Sequence, residues 1–307
     1  DVTDGMPGLK RNDVRFIRVA QRVPWPLTPD TGAKRWIPGN AWAKQFGFWS
    51  WAPVRVIGDV PVEADGSARF AVPPDVALYF QALDENKMEL RRMRTHVTFK
   101  AGERRGCTGC HESQNRTPRT ISYHGQSMAL SRSARTPEPP PWGDRKLLGY
   151  EWLIQPVLDR HCVRCHGKEE PDGGLNLTAG KGEDGFMQSF RSLFGFRPGE
   201  SKPSGKPLVS VSSRLSNHSV SRVKEFGSHR SRFVTVLRDD ALHRDEVKMS
   251  ADEWESLVTW VDANAPYYDT FYDKRPPEGT GPARNHRLEP FPTFPVVSGG
   301  ETANDQE

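Results

Sequence analysis

The apolar positions follow two different periods along the chain. In the first hundred residues they alternate with polar ones. Val14-Arg15-Phe16-Ile17-Arg18-Val19 predicts one strand, Val54-Arg55-Val56-Ile57 a second, and Ala77-Leu78-Tyr79-Phe80-Gln81-Ala82-Leu83 another. Between Val60-Pro61-Val62 and Ala68-Arg69-Phe70-Ala71-Val72 stands Asp65-Gly66, which predicts a hairpin because both residues tolerate positive φ. Residues 1–105 are expected to form a small antiparallel β-sandwich.

From residue 150 the period lengthens. Trp152, Ile154, Gln155, Val157, Leu158 and Arg160 predict an amphipathic helix, and Phe233-Val234-Thr235-Val236-Leu237 another helical run. Ser250-Ala251-Asp252-Glu253 is a capping box, followed by Trp254, Leu257, Val258 and Val261 at helical spacing until Asn264-Ala265-Pro266 stops the run. Between the two regimes, residues 106–149 are irregular and end in Thr136-Pro137-Glu138-Pro139-Pro140-Pro141-Trp142-Gly143, which reads as a stiff extended linker. Residues 271–307, with Arg275-Pro276-Pro277 and Pro290-Phe291-Pro292-Thr293-Phe294-Pro295, read as an extended tail. The expected class is α+β: the N-terminal sandwich, then a mainly α module over residues 150–270, joined by long irregular connections.

Composition agrees with long connections, since the 307 residues include 27 glycines and 26 prolines. The four cysteines change the picture more. Cys107-Thr108-Gly109-Cys110-His111 and Cys162-Val163-Arg164-Cys165-His166 are both C-x-x-C-H, and together they use every cysteine. This spacing marks covalent attachment of a c-type haem: two thiols add across the vinyl groups of one porphyrin, and the adjacent imidazole meets the iron. A zinc site or a pair of short disulfides can also use C-x-x-C, but neither requires the histidine twice. Two covalent haems are therefore expected, with His111 and His166 as proximal ligands. Helix, C-x-x-C-H, variable middle and amphipathic final helix is the layout of a class I cytochrome c domain, and residues 150–270 are expected to have it.

Attachment of this kind is completed outside the cytoplasm, so a periplasmic or otherwise extracytoplasmic, secreted protein is expected. No apolar run is long enough to span a bilayer, and any signal peptide is expected to have been removed or to lie outside the sequence that begins at Asp1. The formal charge of +4 is small and would be offset by the four propionates of two haems, so no nucleic-acid partner is inferred. Oligomeric state is left open.

Several of these motifs have a family resemblance. The run from Val60 to Glu112, with Asp65-Gly66-Ser67-Ala68, Tyr79-Phe80-Gln81-Ala82-Leu83-Asp84 and Gly102-Glu103-Arg104-Arg105-Gly106-Cys107-Thr108-Gly109-Cys110-His111-Glu112, resembles the middle domain of hydrazine synthase alpha-subunit-like proteins. The stretch from Ile154 to Gly167, then Gly174-Leu175-Asn176-Leu177-Thr178, Gly227-Ser228-His229 and Thr259 to Tyr268, is similar to the dihaem region of the same proteins. The resemblance covers roughly residues 50 to 270. Members often carry a β-propeller upstream, so it implies a segment of a longer polypeptide. It also implies, for the enzyme, a first haem held by a tyrosine one helical turn beyond the motif histidine, with a zinc site nearby. The matching position here is Asn115, which cannot serve as an anionic iron ligand, and Tyr123 is the only tyrosine shortly downstream. The enzyme's catalytic haem is therefore not expected, and His111 is read as an ordinary proximal ligand.

The distal ligands are read from position in the chain. For the first haem the nearest candidates are His124, in the loop Ile121-Ser122-Tyr123-His124-Gly125, and His96, in an expected strand. For the second, the loop from Asp239 to Met249 must cross the ring face before the final helix. It offers His243, with Met249 crowded against the helix cap and His229 as the next candidate upstream. Electron transfer with redox partner proteins, or with further domains of a longer chain, is the expected role. A haem redox enzyme with an open first site and a haem-bearing recognition module are the alternatives.

Overall fold

The computed structural model describes residues 1–3, 5–23, 53–107, 109–110, 127–167, 169–182, 185–212 and 221–269. The chain is mixed α and β. Strands β1 (Phe16–Arg22), β2 (Val54–Pro61), β3 (Leu78–Leu83) and β4 (Glu89–Arg92) form one antiparallel sheet in the order β2-β1-β3-β4. The helices follow it: α1 (Tyr150–Leu153), α2 (Gln155–His161), α3 (Gln188–Leu193), α4 (Arg232–Asp239), α5 (Ala241–Glu246) and α6 (Ala251–Asp262).

The expected sandwich is corrected to this single four-stranded sheet among the described residues. Its strands are largely buried on both faces, and irregular segments rather than a second sheet cover the outer one. Met6 and Val14 close one part of the outer face over Ile17, Ala82 and Leu90. Phe70, Val72, Val97 and Phe99 close another part over Val19, Val60 and Leu78.

The tight turn at Asp65-Gly66 forms, with Glu63 N–H donating to the Ser67 carbonyl at 2.8 Å and Asp65 Oδ1 accepting from Ser67 N–H at 3.0 Å. The return strand at Ala68–Val72 does not form; Phe70 makes only an isolated bridge to Arg135. The reason is that the partner edge is taken. On its outer side β2 binds the proline-rich segment: Asp59 and Glu138 exchange backbone hydrogen bonds of 2.9 Å each, and Leu148 N–H reaches the Val54 carbonyl at 2.8 Å. Gly58 permits the close approach, because a Cβ there would collide with the Glu138 carbonyl.

The inner face of the sheet packs on the helices. Ala20, Val54, Val56, Tyr79 and Met88 share one core with residues of α1, α2, α3, α4 and α6. Tyr150 at the head of α1 lies between rings of α3 and α6, its centroid 5.1 Å from Phe190 and 5.3 Å from Trp260. The Tyr150 N–H donates to the Tyr267 carbonyl at 2.8 Å, so the first helix and the chain leaving the last one are stitched together. The capping box of α6 forms as expected: Ser250 Oγ accepts from Glu253 N–H at 3.2 Å and Glu253 Oε2 from Ser250 N–H at 2.8 Å.

Polar residues cross the same interface. Arg18, fully buried, donates to both Asp59 oxygens at 2.8 and 2.9 Å and to Thr259 Oγ1 of α6 at 2.6 Å. Beside it, Asp262 at the end of α6 accepts from Glu89 N–H at 2.9 Å, Ser228 N–H at 2.6 Å and Ser228 Oγ at 2.9 Å. Gly227 stands at φ +71 against this carboxylate, where a Cβ would collide with it. The run Gly227-Ser228 is thus a clasp for Asp262.

Candidate functional site

The second C-x-x-C-H motif begins as α2 ends. Cys165 N–H and His166 N–H both donate to the Cys162 carbonyl, at 3.1 and 2.9 Å, continuing the helical turn. Cys162 is buried and Cys165 exposed, and both thiols are free. Burial, with Cys165 alongside, pushes the Cys162 thiol up to about 11.

The motif opens on a cavity of about 740 Å³, within the roughly 300–1,000 Å³ typical of small-molecule and cofactor sites. Its wall includes Cys162, Cys165 and His166 from the motif, Leu175 and Leu177 beyond it, Phe196 and Leu208 from the middle segment, Phe233 from α4, and His243 from α5. Apolar walls with a few polar groups suit a large flat ligand. Four cations line it, Arg164, Arg197, Lys206 and Arg232, against the carboxylates of Asp172 and Glu246.

Two histidines face each other in this cavity. The imidazoles of His166 and His243 lie with centroids 6.4 Å apart and planes 12° from parallel. Each has its Nδ1 engaged: His166 Nδ1–H donates to the Asp172 carbonyl at 3.0 Å, His243 Nδ1–H to Asp240 Oδ2 at 2.8 Å. A carbonyl or carboxylate can only accept, so Nδ1 carries a proton in both rings, and in the neutral tautomer Nε2 is the nitrogen with the lone pair. With both Nε2 atoms on the line of centroids, two metal–nitrogen bonds of about 2 Å and two ring radii of about 1.2 Å would span the separation seen.

Local structure fixes both rings. The Asp172 carbonyl is aimed at His166 by the turn Asp172–Gly174, whose Gly173 and Gly174 sit at φ 63° and 70°, where a side chain would be strained. Asp240 is the N-cap of α5 and accepts from His243 N–H at 3.1 Å with the same oxygen. Its carboxyl is held below the usual range by the hydrogen bonds from the His243 side chain and backbone. Arg164 and Glu246, joined at 2.6 Å, tie the motif to the end of α5. On the far side His161 Nε2 stands 3.2 Å from both Glu253 oxygens, and Arg160 also meets Glu253. Burial raises the Glu253 carboxyl, but the hydrogen bond from Ser250 N–H and the contact with His161 outweigh it and hold it down at about 2.

The other distal candidates among the described residues, His229, His96 and Met249, are placed elsewhere. His229 Nε2 lies 3.0 Å from Asp84 Oδ2, just beyond β3, without the geometry of a hydrogen bond. Met249 packs against the core beside α6. Neither lines the cavity. Of the first motif, Cys107 is exposed and Cys110 packs on the outer face of the sheet with Ile17, Ala82 and Leu90. His111, Asn115, Tyr123 and His124 lie outside the described residues, as does the tail from 271 to 307. His96 is exposed, and the expected strand there reduces to one bridge at Val97, because β4 ends at Arg92. Among the described residues no group of three or more His, Cys, Asp or Glu converges to hold a metal ion by itself. A haem iron takes four ligands from its porphyrin and asks only two of the protein.

Reading the sequence missed Asp240 and the cavity cations. The signal for Asp240 was available, an N-cap type three residues before a histidine at a helix start. Arg197, Lys206 and Arg232 come from separate segments and carry no shared pattern.

Residues 14–112 match the family model described as the hydrazine synthase alpha subunit middle domain. A curated relative, hydrazine synthase subunit alpha of Kuenenia stuttgartiensis, is 22% identical, over 68% of this chain and 32% of the relative. The solved structure of Kuenenia stuttgartiensis hydrazine synthase superposes with a TM-score of 0.55 at 17% identity, over 85% of this chain and 40% of that one. The chain is hydrazine synthase alpha-subunit-like. It spans about a third of the length of the curated relative.

Proposed function

We propose that the chain is a dihaem c-type cytochrome segment that passes electrons to a redox partner protein or to further domains of a longer polypeptide. The single observation that carries this is the near-parallel pair His166 and His243, each with Nδ1 hydrogen-bonded and Nε2 without a hydrogen-bond partner among the described residues, in the cavity that Cys162 and Cys165 also line. When bound there, haem supplies a one-electron iron couple. Cys162 and Cys165 would hold its vinyl edge by thioethers, with His166 proximal and His243 distal. The surplus of two positive charges on the cavity wall matches the two propionates of one haem. Packing of the first helices against α6 beside the cavity supports a class I-like arrangement. Cys107, Cys110 and His111 would hold a second haem in the same way.

With His166 and His243 both holding it, a haem iron would offer no site to a substrate, which favours electron transfer over turnover here. An extracytoplasmic location goes with the reading, since thioether attachment is completed there. Among the described residues no helix is long and apolar enough to cross a membrane.

The test is expression with a haem-attachment system, intact mass and a pyridine haemochrome count, then spectra of His243→Ala. The expected result is two covalent haems and a low-spin ferric site that becomes high-spin and binds carbon monoxide in His243→Ala. A mass equal to the bare polypeptide would overturn the haem reading. An unchanged spectrum in His243→Ala would overturn the ligand assignment.

A further inference from the structure

We infer that Asp240 is a positioning residue that polarises His243 and thereby lowers the reduction potential of the second haem. The inference rests on the bis-histidine reading above and deepens it. The two imidazoles face one another almost parallel, but their outer partners differ in charge. His166 Nδ1–H donates to a neutral carbonyl, that of Asp172, at 3.0 Å. His243 Nδ1–H donates to a carboxylate at 2.8 Å.

A carboxylate draws the Nδ1 proton more strongly than a peptide carbonyl does, which makes Nε2 a stronger donor to a metal. A stronger donor favours the ferric state of the one-electron couple, so the potential falls. The bond is not a chance surface contact, although the Asp240 and His243 side chains are 49% and 30% exposed. The same Oδ2 also caps α5 by accepting from His243 N–H at 3.1 Å. One oxygen thus starts the helix and fixes the ring that the helix carries. Because both donors belong to one residue, the imidazole cannot turn about its axis without losing the bond or uncapping α5. The Arg164–Glu246 pair at 2.6 Å holds the far end of the same short helix against the motif. The ring is therefore anchored on both sides of the cavity mouth.

The experiment uses the full chain with both haems attached. Midpoints are measured by spectroelectrochemical titration with dithionite and ferricyanide in the parent, Asp240→Asn and Asp240→Ser. The second haem is identified as the one lost from the low-spin spectrum in His243→Ala. Asn keeps a neutral acceptor at the ring, and Ser keeps the helix cap without reaching the imidazole. The expected result is an upward shift of that one midpoint in both variants, with haem content and the low-spin ferric spectrum retained in Asp240→Asn. A midpoint unchanged in Asp240→Asn, with His243 verified as ligand, would overturn the inference and leave the bis-histidine reading standing. A ferric spectrum unchanged in His243→Ala would remove both.

Discussion

Replacing Arg18 by Met gives the sharpest test of how the sheet is held to α6. The guanidinium is fully buried and makes three hydrogen bonds of 2.6 to 2.9 Å, two to Asp59 and one to Thr259. Glu255 adds a longer contact at 3.4 Å. Burial alone would lower the Arg18 pKa, but Asp59 first, then Glu255 and Asp262, raise it, so the charge is retained. Breaking a buried pair by removing one partner costs about 3–5 kcal/mol, because the remaining charge is stranded. Here Lys87 Nζ stays 2.9 Å from Asp59 Oδ2 and offsets part of the loss, so a value near the lower bound, about 3 kcal/mol, is expected. Urea unfolding of the haem-loaded chain, followed by circular dichroism at neutral pH, reads this as a lower midpoint at unchanged slope. Arg18→Met with Asp59→Leu removes both charges and should recover most of the loss, giving a coupling of at least about 2 kcal/mol in the cycle. A loss below about 1 kcal/mol in Arg18→Met, or no coupling to Asp59, would refute the reasoning.

Further outcomes are expected from the same structure. Burial first, and then the neighbouring Glu89 charge, push the Asp262 carboxyl up to about 7 from an ordinary 3.8. A raised folded value means the folded chain holds the proton longer, so stability should fall as pH climbs from about 4 to about 7 and then level off; thermal midpoints across that window should flatten in Asp262→Asn. Gly58→Ala drives a Cβ into the Glu138 carbonyl and should cost about 1–3 kcal/mol in urea unfolding, where an equal midpoint would show that the proline-rich segment is loosely held. Cys162→Ala and Cys165→Ala together should lower the intact mass by one haem, and a loss of both haems would show that the two attachments are not independent.

What was legible in the sequence was local. The capping box at Ser250 and Glu253 and the Asp65-Gly66 turn depend on neighbours within four residues, and both form. Arg18 was not legible as a core residue. The alternation at Val14–Val19 points a basic side chain to solvent, and nothing nearby announces that Asp59 and Thr259, 41 and 241 residues away, will receive it. The missing return strand at Ala68–Val72 has the same cause, since a distant segment had taken the edge of β2. In the cavity the motif itself could be read directly, and the loop before α6 narrowed its opposite wall to a few side chains. Which of them stands across from His166 is decided by Asp240, whose cap sets the direction of α5.

The proline-rich run is more than a tether between two parts of the chain. A sheet edge offers a row of unpaired amides and carbonyls to any extended peptide, and proteins protect such edges against intermolecular strand addition. On β2 that protection comes from Glu138 and from Leu147 and Leu148, which pair with it on either side of a turn at Pro140–Gly143, while the prolines between withhold amide donors from solvent-side pairing. An expression fragment ending at residue 105 would therefore lack its own edge guard. Such a fragment would be expected to self-associate through β2, and a soluble version should retain the chain through residue 148.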